Sequence, residues 1–127
     1  MAMRLLVVLE PGEASVEDAL APLHWSLERC AEGRVELTVI LVGHTDGPEA
    51  GSAESTARTL LRGAGRPEDV TRLPGPPDKE VLRLLGRETF DEVAVSGGAR
   101  TPAGKIRPSR LAERLLINAP VTLTLVR

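Results

Sequence analysis

Five short apolar runs punctuate this chain, and a helical pattern separates each from the next. The runs are RLLVVLE (Arg4–Glu10), ELTVILVG (Glu36–Gly43), DVTRL (Asp69–Leu73), DEVAVSG (Asp91–Gly97) and VTLTLVR (Val121–Arg127). Four of them alternate little between polar and apolar residues, which suits strands covered on both faces. The run from Asp69 to Leu73 is weaker and reads as an edge strand. The resulting order, β-α-β-α-β-α-β-α-β, predicts an α/β fold: a doubly wound five-stranded parallel sheet with helices on both faces. Ligands of such sheets bind at the carboxyl ends of the strands, where strand order reverses. That singles out the loops after the first and fourth strands, EPGEAS (Glu10–Ser15) and SGGARTPAGKIRPSR (Ser96–Arg110).

The helical segments can be placed from their periodicity. Val16, Leu20, Leu23, Leu27 and Cys30 recur at three- and four-residue steps, and Ser15 with Asp18 resembles a capping box. Pro22 removes a donor inside this helix and is a candidate kink. A second helix spans about Pro48 to Arg62 and ends at Gly63. A third runs from Pro77, which suits a first turn, to Arg87, with Val81, Leu84 and Leu85 inward. The fourth starts near Ser109, turns Leu111, Leu115 and Leu116 inward, and stops before Pro120.

Composition narrows the function classes. At 127 residues the chain is one domain, residues 1–127, long enough to bury a core. Trp25 and Phe90 are its only aromatics, so the core is aliphatic and base-stacking platforms for single-stranded nucleic acid are missing. No segment approaches the ~20 apolar residues of a membrane span. The one cysteine, Cys30, falls on the core face and cannot form an intrachain disulfide. A reducing compartment fits, and the expected location is cytoplasmic. His24 and His44 have no metal-ligand spacing around them, and no G-x-S-x-G or Cys–His pattern assigns a catalytic residue.

The stretch from Ser96 to Arg110 holds three glycines, two prolines and four basic residues, with no acid. The whole chain carries a formal charge of -2. Two readings are open. Gly97, Gly98 and Gly104 allow close backbone approach to an anion, with Arg100, Lys105, Arg107 and Arg110 to pair with it and Ser109 to cap the helix and donate. Alternatively, the glycines serve a turn and the basic groups face water. The charge is not accompanied by a DNA-binding motif, so nucleic acid is not an expected partner.

Several segments together resemble the universal stress protein family, over essentially the whole chain. RLLVVLEPGEASVEDAL is similar to its first strand, acidic strand end and helix start, and VELTVILVG to its second strand. GPPDKEVLRLL resembles its G-x-P element before the third helix, and AERLLINAPVTLTLVR its last helix, Ala-Pro and final strand. The resemblance implies strand order 3-2-1-4-5. The family's G-x-x-G-x9-G-[ST] signature falls on Ser96, Ala99, Ser109 and Arg110, all substituted. Its acidic strand end is Glu10 here, followed by Pro11. Val42 falls where the family contacts adenine.

What the resemblance implies is a dimeric stress-response or regulatory module with weakened or lost ATP binding. The alternatives are ATP or AMP binding, with or without slow ATP hydrolysis, through the 96–110 loop, with Mg²⁺ only if ATP binds, and sensing of a non-nucleotide anion. Glu10 would then accept from a ribose hydroxyl or help hold Mg²⁺, or else form a salt bridge. In that strand order VTLTLVR lies at a sheet edge, apolar and without charge before Arg127. Such an edge invites pairing, so a homodimer through residues 121–126 is expected.

Overall fold

The apolar runs form strands because their Leu and Val side chains are covered from both sides. A computed structural model describes residues 3–11, 15–30, 34–43, 45–96, 99–100, 106–107 and 110–126. The elements are β1 (Met3–Leu9), α1 (Val16–Cys30), β2 (Val35–Val42), α2 (Pro48–Gly63), β3 (Val70–Leu73), α3 (Pro77–Arg87), β4 (Glu92–Ser96), β5 (Ala99–Arg100), β6 (Ile106–Arg107), α4 (Arg110–Asn118) and β7 (Thr122–Val126). The main sheet is parallel, in the order β3-β2-β1-β4-β7. This is the expected 3-2-1-4-5 topology, with β7 as the fifth strand of the sheet. The difference lies between β4 and α4. There the sequence predicts a loop, and β5 and β6 instead pair antiparallel, Ala99 opposite Arg107 and Arg100 opposite Ile106. A two-residue ladder leaves no periodicity to read.

Side-chain alternation splits the sheet into two cores. Leu5, Val7, Leu9, Val39 and Leu41 face α1 and α2, meeting Leu20, Leu23, Ala53 and Leu61. Leu6, Val8, Ile40, Val93 and Val95 face α3 and α4, meeting Val81, Leu85, Leu111 and Leu115. The inner face of α2 is mostly alanine, which explains its weak apolar signal. Ser15 Oγ accepts from the Asp18 N–H at 3.1 Å, as the capping pattern predicts. Helix α1 continues through Pro22, whose carbonyl accepts from the buried Ser26 hydroxyl at 2.6 Å. Burial pushes the Cys30 thiol above its ordinary pKa, more than nearby Arg66 and Arg29 lower it, which suits a core role over a reactive one. The expectation for Leu116 is corrected. The buried stripe of α4 is Leu111, Ala112 and Leu115, and one step further round the helix Leu116 is 56% exposed.

The amino end of the sheet is tied by charge. Glu92, buried at the start of β4, accepts from Arg29 at 2.6 Å and from the Thr124 hydroxyl at 2.7 Å. Arg4 donates to the Thr89 carbonyl at 2.7 Å and to Glu88 at 3.1 Å, with its guanidinium over the Phe90 ring. The two edges of the sheet differ. At β3, Arg72 clamps both oxygens of Glu54 and the Thr45 carbonyl, while Arg58 covers the Glu68 and Val70 carbonyls. At β7 the sequence TLTLV has no charge, and Leu125 is exposed.

Candidate functional site

Parallel strands bring their carboxyl ends to one side of the molecule. Chain order runs outward from β1 through β2 to β3, then returns across β1 to β4, so the reversal falls between β1 and β4. A cleft of about 640 Å³ opens at this end. That volume is in the range of small-molecule sites. Glu10 and Pro11 line it just after β1, Gly43 just after β2, and Pro74, Gly75 and Pro76 after β3. Pro77 and Asp78 from the first turn of α3, and Arg110, Leu111 and Arg114 from α4, also line it.

Each wall follows from local sequence. Gly43 turns the chain out of β2 at φ +84°, a conformation costly to a residue with a Cβ. A Cβ there would meet Glu10 Cγ at 3.5 Å and Pro77 Cγ at 3.8 Å, so the end of β2 packs directly against the other two walls. The Pro-Gly-Pro-Pro segment fixes φ at three of four positions and offers few N–H donors, giving a stiff, mostly apolar wall. The Glu80 side chain lies back over Gly75 and accepts from Arg83 at 3.1 Å.

Among the described residues, the charged groups of the cleft are two carboxylates, Glu10 and Asp78, and two guanidiniums, Arg110 and Arg114. Arg110 is the first residue of α4, and Arg114 lies one helical turn behind it. Both are exposed, and neither side chain has an ion pair or hydrogen bond among the described residues. Such a set can accept from hydroxyls on one side and bind an anion on the other. Among the described residues no group of three or more His, Cys, Asp or Glu is placed to hold a metal ion.

Of the residues singled out from sequence, the structure brings Glu10 and Arg110 into this cleft. Val42 is fully buried in the core against α3 and α4, and its neighbour Gly43 is the one that reaches the cleft. Ser96 closes β4 at intermediate exposure, beside Val126. Arg100 has its backbone in β5. Gly97, Gly98, Gly104, Lys105 and Ser109, like His44, lie outside the described residues. Sequence reasoning did not place Gly43, Asp78 or Arg114 in the site. The GPP pattern was read only as the element before α3 and not as part of the site, and the four-residue spacing of Arg110 and Arg114 was available as a helix-face signal.

No protein-family model matches the sequence, and no curated protein matches it. Solved structures do match in fold. A universal stress protein from Archaeoglobus fulgidus aligns over 100% of both chains with TM-score 0.68 and 15% identity. A universal stress protein in complex with cAMP aligns over 100% of this chain and 98% of its own, with TM-score 0.71 and 16% identity. The Archaeoglobus fulgidus universal stress protein in complex with dAMP aligns over 98% of each chain, with TM-score 0.61 and 12% identity. The chain therefore has the universal stress protein fold.

Proposed function

We propose that this protein is a universal stress-type regulatory module that binds a nucleoside phosphate in the cleft between β1, β2, α3 and α4. One observation carries the reading: the cleft sits at the strand-order reversal with a carboxylate at the end of β1 and arginines on α4. In that arrangement Glu10 accepts from ribose hydroxyls, the proline wall covers the apolar face of the ligand, and α4 takes the phosphate. The cAMP and dAMP bound by proteins of this fold support a nucleotide as the ligand class. On this reading the module is a sensor of that ligand. The site residues expected in the 96–110 loop remain part of this proposal.

The module is proposed to act as a homodimer through β7. That edge carries no charge and exposes Leu125, whereas the β3 edge is bound up by Arg58 and Arg72. No helix among the described residues is long and apolar enough to cross a membrane.

A thermal-shift series with AMP, cAMP, ADP and ATP, with and without Mg²⁺, tests the ligand. A ligand present at a hundred times its Kd stabilises by about 2.7 kcal/mol. No shift at millimolar concentrations of any of the four would contradict the proposal. Sedimentation equilibrium tests the dimer: wild type should associate and Leu125→Lys should not, and a monomeric wild type at high micromolar concentration would end that part.

A further inference from the structure

Gly75 is a glycine for reasons of space. Its φ lies outside the positive range found at Gly43 and Gly65, so the backbone turn does not require glycine. A Cβ there would lie against Glu80 Oε1, 2.9 Å from its Cδ and 3.0 Å from its Cγ. No other described glycine is approached so closely; the next, Gly47, would meet an atom at 3.3 Å. Glu80 is held in this place: its side chain is 16% exposed although charged, and Arg83 donates to it at 3.1 Å.

The prolines explain why a carboxylate lies there. A glutamate in the first turn of a helix ordinarily reaches back to the N-cap N–H. In α3 the N-cap is Pro76 and the first helical residue is Pro77, and neither carries an N–H. The Glu80 side chain continues back to Gly75, the one residue of Pro74–Pro77 that leaves room beside its backbone. Gly75 lines the cleft and Glu80 does not, so the carboxylate supports the wall from outside. The backbone of Gly75 has no hydrogen-bond partner among the described residues, which leaves this contact to fix the middle of the wall.

We propose that Glu80 is the positioning residue of the cleft: steadied by Arg83, it rests on Gly75 and sets where the Pro74–Pro77 wall stands, so that ligand affinity depends on a side chain outside the cleft. The inference rests on the reading of the cleft as a ligand site. Pro77 and Glu10 both flank Gly43, at 3.8 and 3.5 Å from where its Cβ would be, so a displaced wall is felt at the ends of β1 and β2. A methyl group on Gly75 pushes aside the flexible carboxylate before the backbone, and so removes the same brace as deleting Glu80.

The test uses the full chain as wild type, Gly75→Ala, Glu80→Ala, Glu80→Gln and the Gly75→Ala/Glu80→Ala pair, first without ligand and then with AMP as the probe. Each variant should melt within about 5 °C of wild type, because only a partly exposed ion pair and a flexible side chain are disturbed, which also shows that it folds. Without ligand, Gly75→Ala and Glu80→Ala should move the same amide signals, at residue 75 and across the cleft at Glu10 and Gly43, and the pair should move them no further. With AMP, either change should lower affinity about fivefold or more, and the pair no more than either alone. Glu80→Gln, whose stem still covers Gly75, should stay within about twofold. Signal changes confined to α3 would overturn the brace. AMP affinity indifferent to both single changes would overturn it and keep the ligand reading. Losses that add in the pair, or a loss in Glu80→Gln as large as in Glu80→Ala, would also overturn it. No binding of AMP by wild type, with signal changes that reach Glu10 and Gly43, would keep the brace and remove the nucleotide reading.

Discussion

Arg29 and Arg114 sit on helices packed against the same five strands, one at the amino end of the sheet and one at the carboxyl end, and their surroundings are opposite. Arg29 lies 2.6 Å from Glu92, which Thr124 also bonds, and it stacks over the Trp25 ring. Arg114 borders an open cleft beside Arg110 and has no acceptor among the described residues. The amino end uses charge to hold strands and helices together. Apart from the Arg72–Glu54 clamp at the β3 edge, the carboxyl end keeps charge, glycine and proline around a space. The difference teaches that in this fold polar groups at one end can be read as structure and at the other as a site, although residue types alone do not separate them.

The largest effect should come from the amino end. Glu92→Ala removes the acceptor of both Arg29 and Thr124 and should cost about 2–3 kcal/mol in urea unfolding, below the usual figure for a fully buried pair because Arg29 is 40% exposed. A loss under about 0.5 kcal/mol would place that charge cluster with ordinary surface pairs and erase the contrast.

Gly43→Ala probes the carboxyl end through the backbone. At φ +84° an added Cβ should cost about 1–2 kcal/mol. It should also weaken nucleotide binding, since Gly43 packs against Glu10 and Pro77 at the cleft wall. Unchanged ligand affinity in a destabilised variant would separate this turn from the site.

A smaller effect should appear in acid. Hydrogen bonding from Arg72 holds the Glu54 carboxyl below its ordinary value of 4.5, with the Arg72 and Arg58 charges adding to it and burial opposing. The native carboxyl therefore binds its proton less readily than the unfolded one. Its contribution is fully present above the ordinary value and is lost as pH falls through the lowered native value. The urea-midpoint difference between wild type and Glu54→Gln should be present at pH 7 and vanish in that acid window. A difference that persists below it would mean that the clamp at the β3 edge acts through packing instead of charge.

The framework of the fold was legible because strands covered on both faces write continuous apolar runs. Pro77 and Arg87 bound α3 as the sequence predicts, and Gly63 ends α2. The fine structure was less so. Leu116 lies one residue past Leu115 and five past Leu111, off their face of the helix, and α4 turns that side chain out. Val42 and Gly43 are adjacent, yet Val42 ends the strand inside the core while Gly43, in the turn that follows, meets the cleft. Glu10 and Arg110 could be found because they end a strand and begin a helix. Arg114 could be placed only once α4 was seen to flank the cleft.

The most direct test of the contrast between the two ends is an amide chemical-shift titration of the intact protein with AMP. Shifts should concentrate at Gly43, Gly75, Asp78, Leu111 and Arg114, while Arg29, Glu92 and Thr124 stay in place. Shifts centred on the amino-end residues, or none at millimolar AMP, would contradict the assignment of the carboxyl-end cleft as the ligand site.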